Sequence, residues 1–117
     1  MKISDSELEV LRVLWAASDW VGVGEVCKAL EAHGWKYKTV GTFLLRLQEK
    51  GMVEARKEGK VNQYRPRFSE AEYKHQETAQ FLHKIHNGSM KSLLAALYQG
   101  EASEDLLDEL ERRLREG

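Results

Sequence analysis

Trp35-Lys36-Tyr37-Lys38-Thr39-Val40-Gly41-Thr42-Phe43-Leu44-Leu45-Arg46-Leu47-Gln48-Glu49-Lys50-Gly51 is the stretch on which the fold reading turns. From about Lys38 to Lys50 the side chains separate into two faces at the roughly 100° per residue of a helix. Val40, Phe43, Leu44 and Leu47 form the inward face, and Lys38, Thr39, Thr42, Arg46 and Glu49 the outward one. Leu45 falls with the polar set, and the periodicity does not account for it. Gly41 costs about 1 kcal/mol in a helix interior, and its small size allows close approach to a base or another helix. Gly51 closes the helix.

Downstream, two short segments between Met52 and Tyr64 flank Glu58-Gly59, the pattern of a β-hairpin with a tight glycine turn. Upstream, Ser4 and Glu7 make a Ser-x-x-Glu capping pattern that opens a helix near Asp5. That helix ends near Ser18, with Leu8, Leu11, Leu14 and Trp15 as its buried stripe. Trp20–Val23 reads as a short strand. A further helix from about Gly24 to His33 turns Val26, Ala29 and Leu30 inward, and Gly34 closes it. Three helices followed by a hairpin give the order of a winged helix-turn-helix over residues 1–68.

A helix that enters the major groove needs an outward face that is polar, short-chained at its N-terminal end and free of carboxylates there. The 38–50 helix meets that demand. Charge agrees with it. The chain carries a formal net charge of only −1, yet 9 Lys/Arg face 3 Asp/Glu between Lys36 and Arg67. A basic segment in a near-neutral chain suits a polyanion partner. Two other readings fit the same pattern: a three-helix core with a charged exterior, and a winged-helix protein–protein module without specific DNA reading.

Residues 69–117 read as three further helices. Ser69 and Glu72 repeat the capping pattern, and Asn87-Gly88 stops the fourth helix. The fifth runs from about Ser89 to Gln99, and the sixth opens at Ser103. Phe81, Leu82 and Ile85, then Met90, Leu93, Leu94 and Leu97, then Leu106, Leu107, Leu110 and Leu114 form their apolar stripes. Three short helices bury too little surface alone, so a second copy of the chain is expected to complete them. Symmetric pairing also suits two half-sites of a palindrome. The expected fold class is mostly α with a small hairpin wing, a DNA-binding head (1–68) and a helical dimerisation part (69–117).

Other chemistries find little support. His75, His83 and His86 have no cysteine or paired carboxylate at ligand spacing, so no metal site is expected. The single cysteine, Cys27, precludes an intrachain disulfide and is expected to be buried and inert. Catalytic triads, phosphate loops and paired-carboxylate motifs do not occur, so neither enzyme activity nor a cofactor is expected. No apolar run approaches the ~20 residues of a membrane span, and the N-terminus has no signal-peptide pattern. A cytoplasmic protein is expected.

The stretch Ile3–Trp15 resembles the opening of the BlaI/MecI penicillinase repressors. Trp35–Leu47 with Glu49-Lys50-Gly51 resembles their recognition helix, and Lys57-Glu58-Gly59-Lys60 through Tyr64 and Pro66 their wing. Phe81-Leu82 and Asn87-Gly88-Ser89 match their tail. The resemblance implies a homodimeric repressor on double-stranded operator DNA. By position, it assigns DNA contacts to Lys36, Lys38, Thr39, Thr42 and Arg46, with Arg56, Lys57 and Lys60 from the wing. Lys36 and Tyr37 depart from the serine and proline of the resistance repressors. The resistance repressors are inactivated by cleavage of an Asn-Phe bond, which implies a sensor protease as a further partner. Here that bond falls at Ala96-Leu97, which keeps neither residue type. Related copper repressors of the CopY type carry a Cys-x-Cys motif that this chain lacks.

Overall fold

A computed structural model describes residues 2–98 and 104–116, apart from the Leu114 side chain. The chain divides into two compact units, Met1–Glu72 and Tyr73–Gly117. The expected end of the fifth helix at Gln99 and the expected start of the sixth at Ser103 lie outside the described residues.

The first unit opens with α1 (Asp5–Ala16), which starts where the capping pattern places it. The Glu7 amide donates to Ser4 Oγ at 3.1 Å, and the Ser4 amide donates back to Glu7 Oε1 at 2.9 Å. β1 (Val21–Gly22) leads into α2 (Val23–Ala29), and a 3-10 turn, Glu31–His33, replaces the expected last turn of that helix. Gly34 then takes the left-handed conformation at φ 69° and reverses the chain into α3 (Tyr37–Glu49). β2 (Val53–Glu58) and β3 (Val61–Pro66) follow. The sheet is antiparallel in the order β1-β3-β2, with Val21 opposite Tyr64 and Ala55 opposite the same residue from the other side.

Glu58 is the last residue of β2 and pairs with Val61, so the two-residue loop is Gly59-Lys60, one residue beyond the Glu58-Gly59 expected. Gly59 has φ 62° and Lys60 has no positive φ, the pattern of a type II′ turn. That turn matches the twist of the flanking strands and lifts Lys60 to the wing tip.

The core of this unit gathers Val10, Leu11 and Leu14 of α1, Val26 and Leu30, Val40, Leu44 and Leu47 of α3, and Val21, Val53 and Tyr64 of the sheet. Two inward assignments need correction. On α1 the buried line is Glu7, Val10, Leu11 and Leu14, while Leu8 and Trp15 are only half-buried. Glu7 takes the inward position because it has a partner there, described below. Trp15 sits at the rim, its indole N–H donating to the Phe68 carbonyl at 2.9 Å; a ring with one polar end is suited to that place. Ala29 is exposed, because α2 stops there and Leu30 turns in instead. Cys27 is half-buried against the core rather than fully enclosed.

The second unit contains α4 (Glu70–His86) from Tyr73 onward, α5 (Met90–Leu97) and α6 (Glu104–Glu116). α4 is capped by Ser69, which accepts from the Glu72 amide at 3.1 Å. It ends at Asn87 and Gly88, both left-handed (φ 51° and 80°). His86 Nδ1 lies 2.8 Å from Ser92 Oγ and ties the end of α4 to α5. α5 and α6 are joined through Lys91, whose amide donates to Glu111 Oε2 at 2.7 Å and whose ammonium meets Glu104 (3.0 Å) and Asp108 (3.2 Å).

Candidate nucleic-acid interface

α3 presents its outward face because its other face is fully committed to the core: Val40, Leu44 and Leu47 are buried. The helix is fixed at both ends. At its entrance, the His33 ring stacks on Trp35 (4.2 Å between centroids), and Trp35 meets Phe43 edge to face (5.1 Å). At its exit, Lys50 Nζ donates to Glu7 Oε1 at 2.5 Å and to the Lys2 carbonyl at 2.9 Å. The start of α1 is thereby stapled to the end of α3. Glu7 is only 2% exposed. Burial opposes its ionisation, but hydrogen bonds from Lys50 and Ser4 and the Lys50 charge outweigh that. Its carboxyl is held below the ordinary carboxylate value.

Between those anchors Lys36, Lys38, Thr42 and Arg46 are exposed and Thr39 is half-buried. No acidic residue lies in the first turn of α3, and its N-cap residue, Lys36, makes no side-chain capping bond. The positive end of the helix dipole therefore faces outward among cations, a setting that favours an anion such as phosphate. Thr42 Oγ1 donates to the Lys38 carbonyl at 3.0 Å. Its proton is thus used within the helix, and its outer side offers a lone pair and a methyl group. A Cβ at Gly41 would meet nothing within 4 Å, so among the described residues its smallness serves no close helix contact.

On the wing, Arg56, Lys57 and Lys60 are all exposed, but they are not equivalent. Arg56 is held: its Nε donates to Gln63 Oε1 at 3.0 Å, its Nη2 lies 3.4 Å from Glu58, and its guanidinium stacks over Trp20 at 4.6 Å. Arg65, itself paired with Glu54 at 2.9 Å, also lies over Trp20, at 4.5 Å. Trp20, Gln63 and Arg65 escaped the sequence reading, because cross-strand neighbours depend on register. Leu45 is 53% exposed on the outward side of α3.

The second surface lies on the helices of the other unit. Ile85 is 57% and Leu97 68% exposed, and Phe81 is exposed with them. Leu82, Leu93, Leu94 and Leu110 are half-buried. Leu107 differs: it is 5% exposed within the single chain, so it is a packing residue of α6 rather than part of an open face. Leu114 lies outside the described side chains. Ala96 and Leu97 are both exposed at the end of α5. Among the described residues, no group of three or more His, Cys, Asp or Glu could hold a metal ion.

Comparison with known proteins gives a consistent result. The sequence profile described as penicillinase repressor matches residues 3–116. A penicillinase repressor of Bacillus licheniformis is 38% identical over 117 residues, covering 98% of this chain and 91% of that protein. The methicillin resistance regulatory protein MecI of Staphylococcus aureus (strain N315) is 27% identical over 111 residues, covering 93% and 89%. Among solved structures, the DNA-binding domain of the repressor BlaI aligns with TM-score 0.55 at 44% identity, over 62% of this chain and 88% of that one. The Bacillus licheniformis BlaI monomer in complex with the blaP half-operator aligns with TM-score 0.52 at 43% identity, over 62% and 89%.

Proposed function

Because this chain belongs to the penicillinase repressor family, we propose that it is a DNA-binding transcriptional repressor that reads a palindromic operator as a homodimer. The observation that carries the reading is the outward face of α3: cations and hydroxyls around an acid-free N-terminus, on a helix anchored at both ends. In that role Lys36, Lys38 and Arg46 neutralise phosphates or meet guanine edges, and Thr39 and Thr42 touch base edges. Lys57 and Lys60 reach the neighbouring phosphate strand from the wing, and Arg56 adds a positioned charge beside them. The head, residues 1–68, contacts DNA. Residues 69–117 pair two chains through Phe81, Leu82, Ile85, Leu93, Leu94, Leu97, Leu110 and Leu114, which sets the spacing of two heads to two half-sites. A sensor protease is the further partner that the family implies; Ala96-Leu97, at the position of the family's Asn-Phe bond, has neither of its side chains. The cytoplasm is the compartment in which such a protein meets DNA.

Selection of bound duplexes from a random library tests the reading. A palindromic consensus, bound with an affinity that falls steeply with salt, is the expected result. Failure to bind any duplex at low salt would instead leave a protein–protein module.

A further inference from the structure

A single exposed leucine is ordinary on a protein surface, but Leu45 is placed in a way that gives it an occupant. Lys38, Thr42, Leu45 and Glu49 are spaced four, three and four residues apart, so they share one line along α3. That line faces away from buried Val40, Leu44 and Leu47. Gly41, four residues before Leu45, puts no side chain beside it, and the space where its Cβ would stand is open. The Thr42 hydroxyl proton is bonded to the Lys38 carbonyl. Leu45 is therefore the apolar side chain on this outward line, with exposed Lys38 and Thr42 before it, Glu49 after it and Arg46 beside it. Among the groups that base edges show in the major groove, the C5-methyl of thymine is the apolar one. It is the group a leucine gains by covering.

Building on the recognition-helix reading above, we infer that Leu45 is a specificity-determining residue that packs against the C5-methyl of a thymine in the operator half-site. The cations hold the backbone and fix the register, and Leu45 selects thymine at one position. Leu45 neutralises no phosphate, so it contributes nothing to the salt dependence of binding.

The test replaces each thymine of a selected operator duplex by deoxyuridine, which removes the methyl and leaves every hydrogen-bonding group. For the unmodified protein, one thymine position in each half-site is sensitive: replacing it in one half-site weakens binding about fourfold, the worth of one buried carbon, and replacing it in both weakens binding about fifteenfold. L45A binds the thymine and uracil duplexes equally, with the wild-type salt slope. The inference is overturned if no replacement weakens the wild-type protein, or if L45A keeps the same uracil penalty. Absence of binding to every duplex at low salt overturns the recognition-helix reading as well, which separates the two failures.

Discussion

Cutting the Glu7–Lys50 pair from its two ends should cost unequal amounts. Removing one member of a buried ion pair costs about 3–5 kcal/mol when the other is left charged and enclosed. In K50A, Glu7, 2% exposed beside Lys50, keeps the Ser4 amide as a donor and gains water where the lysine stem stood, which places the loss near the lower end, about 3 kcal/mol. In E7Q the amide oxygen still accepts from Ser4. The Lys50 side chain, 26% exposed, recovers water, so the loss is about 1–2 kcal/mol. Acid adds a second signature. The folded-state carboxyl is held below its ordinary value. The stabilisation it supplies is complete above the unfolded-state value of about 4.3 and disappears as pH falls through the lower folded-state value. The deficit of E7Q relative to wild type should therefore shrink on acidification. Urea unfolding followed by tryptophan emission reads this directly, because Trp15, Trp20 and Trp35 all lie in the first unit. Equal losses in the two variants, or an E7Q deficit that grows in acid, would refute the reasoning.

Three other outcomes follow from the same structure. L97E places a charge on the most exposed of the described leucines of the second unit and should convert dimer to monomer in sedimentation equilibrium; a persistent dimer removes that end of α5 from the interface. K60A should lower the salt slope of binding by about 1 per head, about 2 for the dimer on a full operator, and leave sequence preference unchanged, read by titration at several salt concentrations; an altered consensus with an unchanged slope contradicts the wing assignment. G59A should destabilise the first unit by about 1–2 kcal/mol in urea, because the hairpin needs φ 62° there.

What was legible in the sequence was what short-range rules govern. Ser4 and Glu7 announced the start of α1 because a capping box spans three residues. Gly59 placed the wing turn to within one residue because few residues adopt its backbone. The two faces of α3 were readable because burial repeats with the helix. The same local rule hid the larger role of Glu7: a residue already explained as a cap gave no hint of a partner 43 positions away. Arg56 counted as a free cation, since its bond to Gln63 exists only in the register of β2 with β3. The leucines of α6 look alike in sequence, and the enclosure of Leu107 follows from how α5 and α6 pack. Periodicity also says which residues face outward without saying what they meet, which is why Leu45 could not be placed.

The indole of Trp20, with a guanidinium near it from each of two strands, makes the wing self-reporting. One of those cations, Arg56, belongs to the surface that would move toward a phosphate, whereas Arg65 is tethered to Glu54. Any shift of Arg56 changes the electric field across the ring, and with it the colour of the ring's emission. With the wing on DNA as proposed above, the Trp20 share of the emission would report that contact without an attached dye.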